Sequence, residues 1–167
     1  MLINRVWAMP NKWTFKIKPI RELLDRHNIG KDWIDPFCGE SNLCEIRNDL
    51  NPDNKNAQYH LEALDFVNML DGKYTGVVFD PPYSLTQVGR SYNNLGIKGW
   101  NKNNKTGAFP KVKDRISEII KIGGTVISFG WNSIGMGKNR GFEIKEILLV
   151  CHGGNRNDTI VTVEKKC

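Results

Sequence analysis

Short apolar runs, separated by polar, Gly-rich or Pro-rich segments, recur along the chain and predict strands that alternate with helices. Apolar residues at helical spacing predict a helix over residues 14–24, with Pro19 in its first turn, and another over residues 111–122. This order favours an α/β fold with a mostly parallel sheet. Five runs predict strands, at residues 33–35, 45–50, 61–66, 76–79 and 125–130.

Two further features of the pattern refine this fold. Residues 144–151 and 159–163 are rich in β-branched residues and are joined by a polar, Gly-containing segment, which predicts an antiparallel hairpin. Near the first strand, the next predicted strand begins only six residues after Gly39. Parallel strands are normally joined by a dozen or more residues that include a helix. The first crossover helix is therefore expected to be absent or reduced to a turn, and a helix is expected to begin near Pro52.

Length and composition limit the possible classes of protein. The chain has 167 residues, of which 40% are hydrophobic, and this predicts one domain over residues 1–167. No apolar run approaches the roughly 18 residues of a membrane span, and the N-terminal residues lack a signal-peptide core. We therefore expect a cytoplasmic protein with no membrane contact. The four cysteines and three histidines have no metal-binding spacing, which favours free thiols and no metal.

The excess positive charge is concentrated in one segment. Residues 84–113 contain six cations and no acid, and these equal the net charge of +6 of the whole chain. Residues 84–110 show no periodicity and predict a long basic loop. Its cations and aromatic rings are suited to gripping phosphates and stacking on bases, and a surface insertion without a role is the alternative. The candidate substrate-binding residues are Arg90, Lys98, Trp100, Lys102 and Lys105.

Acidic residues close four predicted strands in succession, namely Asp35, Asp49, Asp65 and Asp80. Because the carboxyl ends of parallel strands meet at one edge of a sheet, these side chains are expected to converge where open α/β sheets bind ligands. An acid after the second strand commonly accepts hydrogen bonds from ribose hydroxyls, and Asp49 fills that position. Local roles are the alternative, such as an Asx turn at Asp49 or a loop acid at Asp65.

The segment Asp80-Pro81-Pro82-Tyr83 directly follows the apolar run at residues 76–79. The Asp80 carboxylate and the Pro81 carbonyl are suited to accept hydrogen bonds from an exocyclic amino group, and Tyr83 is suited to stack on a flat base. When both hydrogens of such an amino group are hydrogen-bonded to acceptors, a tetrahedral, nucleophilic nitrogen is favoured. The segment therefore predicts activation of an amine. The alternative is a strand end followed by a turn, with Asp80 as a solvated cap.

This tetrapeptide resembles the signature of the adenine-N6 and cytosine-N4 amino-methyltransferases, which use S-adenosylmethionine. Residues 35–39 resemble the D-P-F-x-G cofactor turn of that family, and the Lys-Pro pair at residues 18–19, before a Leu-Leu pair, resembles its helical motif. The landmarks follow the order of one branch of the family over most of the chain. Glu40 and Ser41 depart from the pattern, because the family has a second glycine there.

The resemblance implies a Rossmann-like class I methyltransferase fold, with S-adenosyl-L-methionine as cofactor and no metal. It implies that Asp49 holds the ribose of the cofactor and that Asp65 and Phe66 lie near its adenine. The implied cofactor-binding residues are Thr14, Phe15, Asp35, Phe37, Cys38, Gly39, Asp49, Leu50, Asp65 and Phe66. The implied catalytic residues are Asp80, Pro81, Pro82 and Tyr83, acting on a base flipped out of its helix.

Methylation of adenine N6 in DNA is the activity that the resemblance implies first, because cytosine-N4 enzymes more often carry Ser in place of Asp80. RNA adenine, cytosine N4 and a side-chain amide present a similar planar amino group, although the basic loop argues against a protein substrate. A non-catalytic nucleic-acid-binding subunit of a larger methyltransferase is the other alternative. Target recognition would fall to the basic loop, a partner subunit or self-association, because no separate recognition domain is expected.

Overall fold

The computed structural model of the chain describes residues 1–96 and 108–167, which form a seven-stranded sheet flanked by helices. The strands are β1 (Leu2–Trp7), β2 (Trp33–Asp35), β3 (Ile46–Arg47), β4 (Tyr74–Phe79), β5 (Ile120–Gly130), β6 (Phe142–Cys151) and β7 (Thr159–Lys166). The described helices are α1 (Lys18–Asp25), α2 (Ala63–Met69), α3 (Leu85–Asn94) and α4 (Ala108–Ile119), with short 3-10 turns at Thr14–Lys16 and Lys138–Arg140. The longest of these helices has 12 residues, and none of those described could serve as a membrane span.

The order of strands in the sheet is β1-β6-β7-β5-β4-β2-β3. Strand β7 runs antiparallel to both of its neighbours, and the other four pairs are parallel. The predicted α/β fold, a mostly parallel sheet with a C-terminal antiparallel hairpin, is thus confirmed. The expected loss of the first crossover helix is also confirmed, because residues 36–45 between β2 and β3 contain only turns and bends.

Each face of the sheet carries its own apolar core. On one face, Ile20 and Leu24 of α1 are buried against the strands, which confirms the apolar face predicted for residues 14–24. On the other face, Phe66 of α2 packs in one cluster with Ile116 of α4. Each large apolar side chain that is fully buried contributes about 1.5–3 kcal/mol, so these contacts fix both layers of helices on the sheet.

The strand predicted over residues 61–66 is wrong. The chain forms helix α2 there, and Asp65 lies in its first turn instead of at a strand end. Phe66, Val67 and Leu70 are all buried, a spacing that places one face of a helix against the core. The six-residue window was too short to reveal that period, because its first two residues precede the helix and only four lie in it.

The helix expected near Pro52 does not form either. Residues 49–57 make a series of turns in which an Asp or Asn side chain accepts a hydrogen bond from a backbone N–H two residues later. Such side chains offer the backbone a local alternative to helical hydrogen bonds. The acceptors are Asp49, Asn51 and Asn54.

Much of the segment predicted as a basic loop is helical. Helix α3 begins after Ser84, whose Oγ accepts a hydrogen bond from Gln87 N at 3.2 Å, and it buries Val88 and Tyr92 on one face. Helix α4 begins at residue 108, three residues earlier than predicted. The loop prediction is therefore wrong at both ends of the segment. Residues 97–107, in its middle, lie outside the described part of the chain.

The N-terminal strand β1 was not predicted. It pairs in parallel with β6, from Leu2 beside Glu146 to Trp7 beside Cys151, and forms one edge of the sheet. An edge strand lacks the continuous apolar run that marks a buried strand, which explains why the pattern did not reveal it. His152 fastens the end of this strand, because its Nδ1 lies 2.8 Å from Ala8 O and its Nε2 lies 2.9 Å from Thr159 Oγ1.

The buried side chain of Asn48 joins two parts of the chain that no helix or strand connects. Neither a crossover helix after β2 nor the strand predicted over residues 61–66 is formed. Its Nδ2 donates to Pro36 O at 3.0 Å and to Leu61 O at 2.9 Å, and its Oδ1 accepts from Leu61 N at 2.9 Å. Asn48 also forms an isolated parallel bridge with Tyr59. One side chain therefore ties the turn after β2 to the segment that enters α2.

Replacement of this asparagine by alanine should be strongly destabilising. Asn48→Ala leaves Pro36 O and both backbone groups of Leu61 without a partner, so we expect the free energy of unfolding to fall by about 3 kcal/mol. Urea unfolding followed by circular dichroism measures the change. Asn68→Ala, on the exposed side of α2, is the matched control and should shift the free energy by no more than about 0.5 kcal/mol. Equal losses in the two variants would contradict the assigned role.

Candidate functional site

The carboxyl ends of β2, β3, β4 and β5 lie at one edge of the sheet, because these four strands are parallel. Asp35 is the last residue of β2, Asp49 follows β3 by two residues, and Asp80 directly follows β4. Asp35 is close enough to the other two that the negative charges of Asp80 and Asp49 both raise its pKa. The predicted convergence is thus found for three of the four acids, and Asp65 reaches the site from α2 instead.

Asp35 is the most deeply buried of these acids, with no exposed surface. Its Oδ1 accepts a hydrogen bond from Phe37 N at 3.0 Å, and its Oδ2 has no hydrogen-bond partner among the described residues. Burial raises the pKa of Asp35 to about 8, and the charges of Asp80 and Asp49 add to this effect. The side chain is therefore a neutral carboxylic acid at pH 7. It limits the negative charge at the edge.

The turn after Asp35 is held by side chains from the segment that follows β3. Gly39 adopts a φ of +50°, a backbone conformation that favours glycine. Its N–H donates to Asp49 Oδ2 at 3.0 Å, and its carbonyl accepts from Asn54 Nδ2 at 2.6 Å. A Cβ built on Gly39 meets no atom within 4 Å, so the peptide faces open space. The turn is therefore well ordered although Glu40 and Ser41 replace the second glycine.

Asp80 and Tyr83 form a hydrogen-bonded pair at the end of β4. The Tyr83 hydroxyl donates to Asp80 Oδ1, and Tyr83 N donates to Gln87 Oε1 at 2.6 Å. Burial raises the pKa of Asp80 to about 6, and the hydrogen bond from Tyr83 partly offsets that rise. Burial and the Asp80 charge raise the pKa of Tyr83, so its phenol keeps its proton. Near neutral pH the pair presents a carboxylate that already accepts one hydrogen bond.

A large cavity of about 640 Å³ lies beside this edge, between the strand ends and helices α2, α3 and α4. The wall of this cavity contains both acidic and apolar side chains. Asp49 is held in the wall by Asn51 N, which donates to Asp49 Oδ1 at 2.7 Å. Both Asp49 oxygens thus bond to the backbone and keep lone pairs for a ligand. The residues of this wall that were predicted from the sequence to belong to the site are Phe37, Asp49, Leu50, Asp65 and Pro82.

A second cavity of about 320 Å³ lies on the other side of Phe37, which lines both. It is formed by the 3-10 turn Thr14–Lys16, the turn after β2 and Asp80. Burial raises the pKa of Cys38 to about 12, so this residue lines the cavity as a neutral thiol. Predicted residues in its wall are Thr14, Phe15, Phe37, Cys38, Gly39 and Asp80. The two cavities together extend from α2 across the sheet edge to the N-terminal turn.

Some predicted site residues are not brought to these cavities. Phe66 is fully buried in the core and packs on Tyr59, with ring centroids 5.6 Å apart, so its predicted contact with an adenine ring is wrong. Arg90 is exposed on α3 and lines neither cavity. The remaining predicted substrate-binding residues lie outside the described part of the chain, and they are Lys98, Trp100, Lys102 and Lys105.

Two pairs of residues in the cavity walls were not predicted from the sequence. Glu62 and Tyr92 line the larger cavity, and the Tyr92 hydroxyl donates to Glu62 Oε2. The Ser84-x-x-Gln87 capping pattern could have revealed helix α3, and with it the inward position of Tyr92. Lys12 and Trp13 line the smaller cavity, and their position directly before the Thr14 turn was the available signal.

No family model and no curated protein sequence matches the chain. Several solved structures match it in fold. TrmN from Thermus thermophilus gives a TM-score of 0.53 at 15% identity, over 90% of this chain and 49% of TrmN. The N-methyltransferase NodS from Bradyrhizobium japonicum, in complex with S-adenosyl-L-homocysteine, gives 0.54 at 11% identity, over 93% of both chains. A proposed rRNA-methylase from Clostridium thermocellum gives 0.54 at 11% identity, over 87% of this chain and 96% of that one.

These comparisons show the fold of the chain. It is the Rossmann-like α/β fold that these methyltransferases share, as the sequence analysis expected. The chain spans about half the length of TrmN and nearly the whole length of the other two proteins. At identities of 11–15% the similarity is one of architecture alone, and the geometry of the site indicates the chemistry.

The raised pKa of Asp35 should make the protein less stable as the pH rises. Between pH 6 and 8 the unfolded chain has lost this proton and the folded chain still holds it, so stability falls with a slope approaching 1.4 kcal/mol per pH unit, roughly one proton. Asp80 contributes in the same sense only up to about pH 6.

We expect Asp35→Asn to flatten this slope, because an amide cannot ionise. Urea unfolding at pH 6, 7 and 8 gives the slope for each protein. Asp53→Asn, on an exposed turn, is the control and should keep the wild-type slope. The same slope in the Asp35→Asn variant would show that the buried acid is not the source.

Proposed function

We propose that the chain is an S-adenosylmethionine-dependent amino-methyltransferase that acts on nucleic acid. Of the possible acceptors, we propose adenine N6 in DNA. The observation that carries this proposal is the position of Asp80. Asp80 lines the same cavity as Thr14 and Gly39, and that cavity adjoins the larger one that Asp49 lines. A methyl donor bound along both cavities would therefore end beside an acceptor group for an amine.

The residues of the two cavities fit the two ends of this cofactor. The larger cavity combines apolar walls with the Asp49 carboxylate, which suits an adenine ring and ribose hydroxyls. The smaller one has the open Gly39 backbone and the polar Thr14 side chain, which suit an amino-acid group. Phe37 lies where the two meet. NodS, which has the same fold, binds S-adenosyl-L-homocysteine, the demethylated form of this cofactor.

When bound, S-adenosylmethionine supplies a methyl group on a positively charged sulfur, so the protein needs mainly to position the acceptor. The Asp80 carboxylate and the Pro81 carbonyl would accept the two amino hydrogens of the substrate and leave its nitrogen lone pair free. As the nitrogen gains the methyl group it loses a proton, and Asp80 is positioned to accept it. Pro82 keeps this turn rigid, and the Tyr83 hydroxyl holds one Asp80 oxygen in place.

Several observations support nucleic acid as the substrate class. Six cations in residues 84–113 account for the whole net charge of +6. The proteins of similar fold include an N-methyltransferase and a proposed rRNA-methylase. Adenine is preferred over cytosine because Asp, and not Ser, stands at position 80. We propose that one methyltransferase domain carries the activity and that self-association or a partner subunit contributes to target recognition.

Transfer of a labelled methyl group tests the proposal directly. The purified protein is incubated with labelled S-adenosylmethionine and with DNA, RNA or protein, and the product is digested to identify the modified unit. N6-methyladenine from DNA is the expected product. Cofactor binding by calorimetry separates an enzyme from a binding subunit, because a subunit without a donor site would release no heat. Label in protein alone would overturn the proposed substrate class.

Ionisation of Asp80 should control the activity. Because its pKa is about 6, kcat/KM should rise through about pH 6 and level off above pH 7. Asp80→Asn removes the negative acceptor and should lower kcat by at least about 100-fold at pH 7.5 while cofactor affinity stays within a few fold. The control Asp71→Asn, on an exposed turn after α2, should behave like the wild type. Full activity in the Asp80→Asn variant would rule out the carboxylate.

Tyr83→Phe should change the pH profile and leave the chemistry intact. The hydroxyl lowers the pKa of Asp80, so its removal should shift the acid limb of kcat/KM to higher pH. We expect a several-fold loss at pH 6 and little loss at pH 8. Initial rates over pH 5.5–8.5 measure the shift. Coincident profiles for the variant and the wild type would mean that the hydroxyl does not act on Asp80.

A further inference from the structure

Two tryptophans lie near Asp80: one contacts its hydrogen-bond partner Tyr83, and the other lines the same cavity as Asp80. Trp131 follows the last residue of β5, and its ring contacts Tyr83 edge to face, with centroids 5.9 Å apart and planes at 69°. Tyr83 in turn bonds to Asp80. Trp131 is 42% exposed, whereas Tyr83 is partly buried against the core under α1. Among the described residues, Trp131 therefore offers a flat aromatic surface that is open to solvent beside Tyr83.

The second tryptophan is Trp13, which lines the smaller cavity together with Asp80. The Nζ of Lys12 lies 4.6 Å from the centroid of its ring, and the Nζ of Lys16 lies 6.0 Å from it. Cations held against a partly exposed indole are a combination that suits a stacked base and its phosphate. Trp13, Trp131 and Lys12 are together called the aromatic rim.

The charges of the described residues that line the smaller cavity, beside Trp13 and Lys12, are balanced. The cations that line the smaller cavity are Lys12, Lys16 and Arg21, and the acids are Asp25, Glu40 and Asp80. A duplex is held mainly through many contacts between cations and phosphates. A single strand is held by stacking on aromatic side chains together with a few cations. The described rim therefore suits unpaired bases better than the backbone of a double helix.

We infer that the aromatic rim binds unpaired nucleotides, so that the substrate is a single-stranded segment of nucleic acid. Trp13 and Trp131 stack on bases that neighbour the base at Asp80, and Lys12 contacts a phosphate. This inference rests on the proposed function for the role of Asp80, and the rim itself is a binding site that binding alone can test. Single-stranded DNA and RNA share this chemistry.

Fluorescence anisotropy of labelled 12-nucleotide oligomers tests the inference without any methyl transfer. The same sequence is offered as single-stranded DNA, single-stranded RNA and duplex DNA, at fixed salt. We expect at least one single strand to bind about tenfold more tightly than the duplex, and the two single-stranded arms identify the sugar that is preferred. Equal or tighter binding of the duplex would overturn the inference.

Substitutions separate stacking from other contributions. Trp131→Leu and Trp13→Leu should each weaken single-strand binding by about fivefold or more, whereas Trp131→Phe and Trp13→Phe should stay within about threefold of the wild type. Lys121→Ala and Ile122→Ala, near the opposite end of β5, are controls and should bind as the wild type does. Thermal melts check that each variant is folded. Leucine variants that bind like the phenylalanine variants would overturn the stacking role.

Normal binding without methyl transfer to any substrate would support the rim and contradict the proposed function.

Discussion

Three carboxyl groups at one edge of a parallel sheet repel one another, and the site depends on how that repulsion is relieved. Asp35 relieves it by remaining protonated, because burial and the two neighbouring charges make its ionisation unfavourable. Asp49 relieves it by accepting from the N–H groups of Gly39 and Asn51. Asp80, with a pKa of about 6, is an ionised carboxylate at pH 7. The surroundings of Asp80, as well as its sequence motif, therefore favour a chemical role for this carboxylate.

Backbone contacts from side chains replace secondary structure on this side of the molecule. The fold has no helix between β2 and β3 and only a single bridge, at Asn48 and Tyr59, where a further strand would lie. Asn48 and Asn54 bond to the backbone of residues 36–39 and 61, so short turns acquire fixed positions. The chain thus keeps both cavities next to the strand ends without a helix between β2 and β3.

The sequence predicted most of the sheet, because its buried strands are continuous apolar runs that end at Gly, Pro or Asp. It also predicted that Asp35, Asp49 and Asp80 would meet, since strand direction alone determines that edge. It failed at Asp65 and Phe66, where a short apolar run was compatible with a helix as well as a strand. It also missed β1, whose pairing with β6 depends on residues far away in the chain. The contacts of Asn48 depend on tertiary structure and have no local signature.

The pairing of β1 with β6 has a consequence for biosynthesis. The segment that supplies Trp13 and Thr14 to the smaller cavity follows strand β1, whose partner β6 is made after residue 141. During synthesis, residues 2–7 must therefore wait for residues 146–151 to be made before this wall of the cavity can form. The smaller cavity is therefore completed only after the ribosome has added β6, more than 130 residues after Trp13 was made.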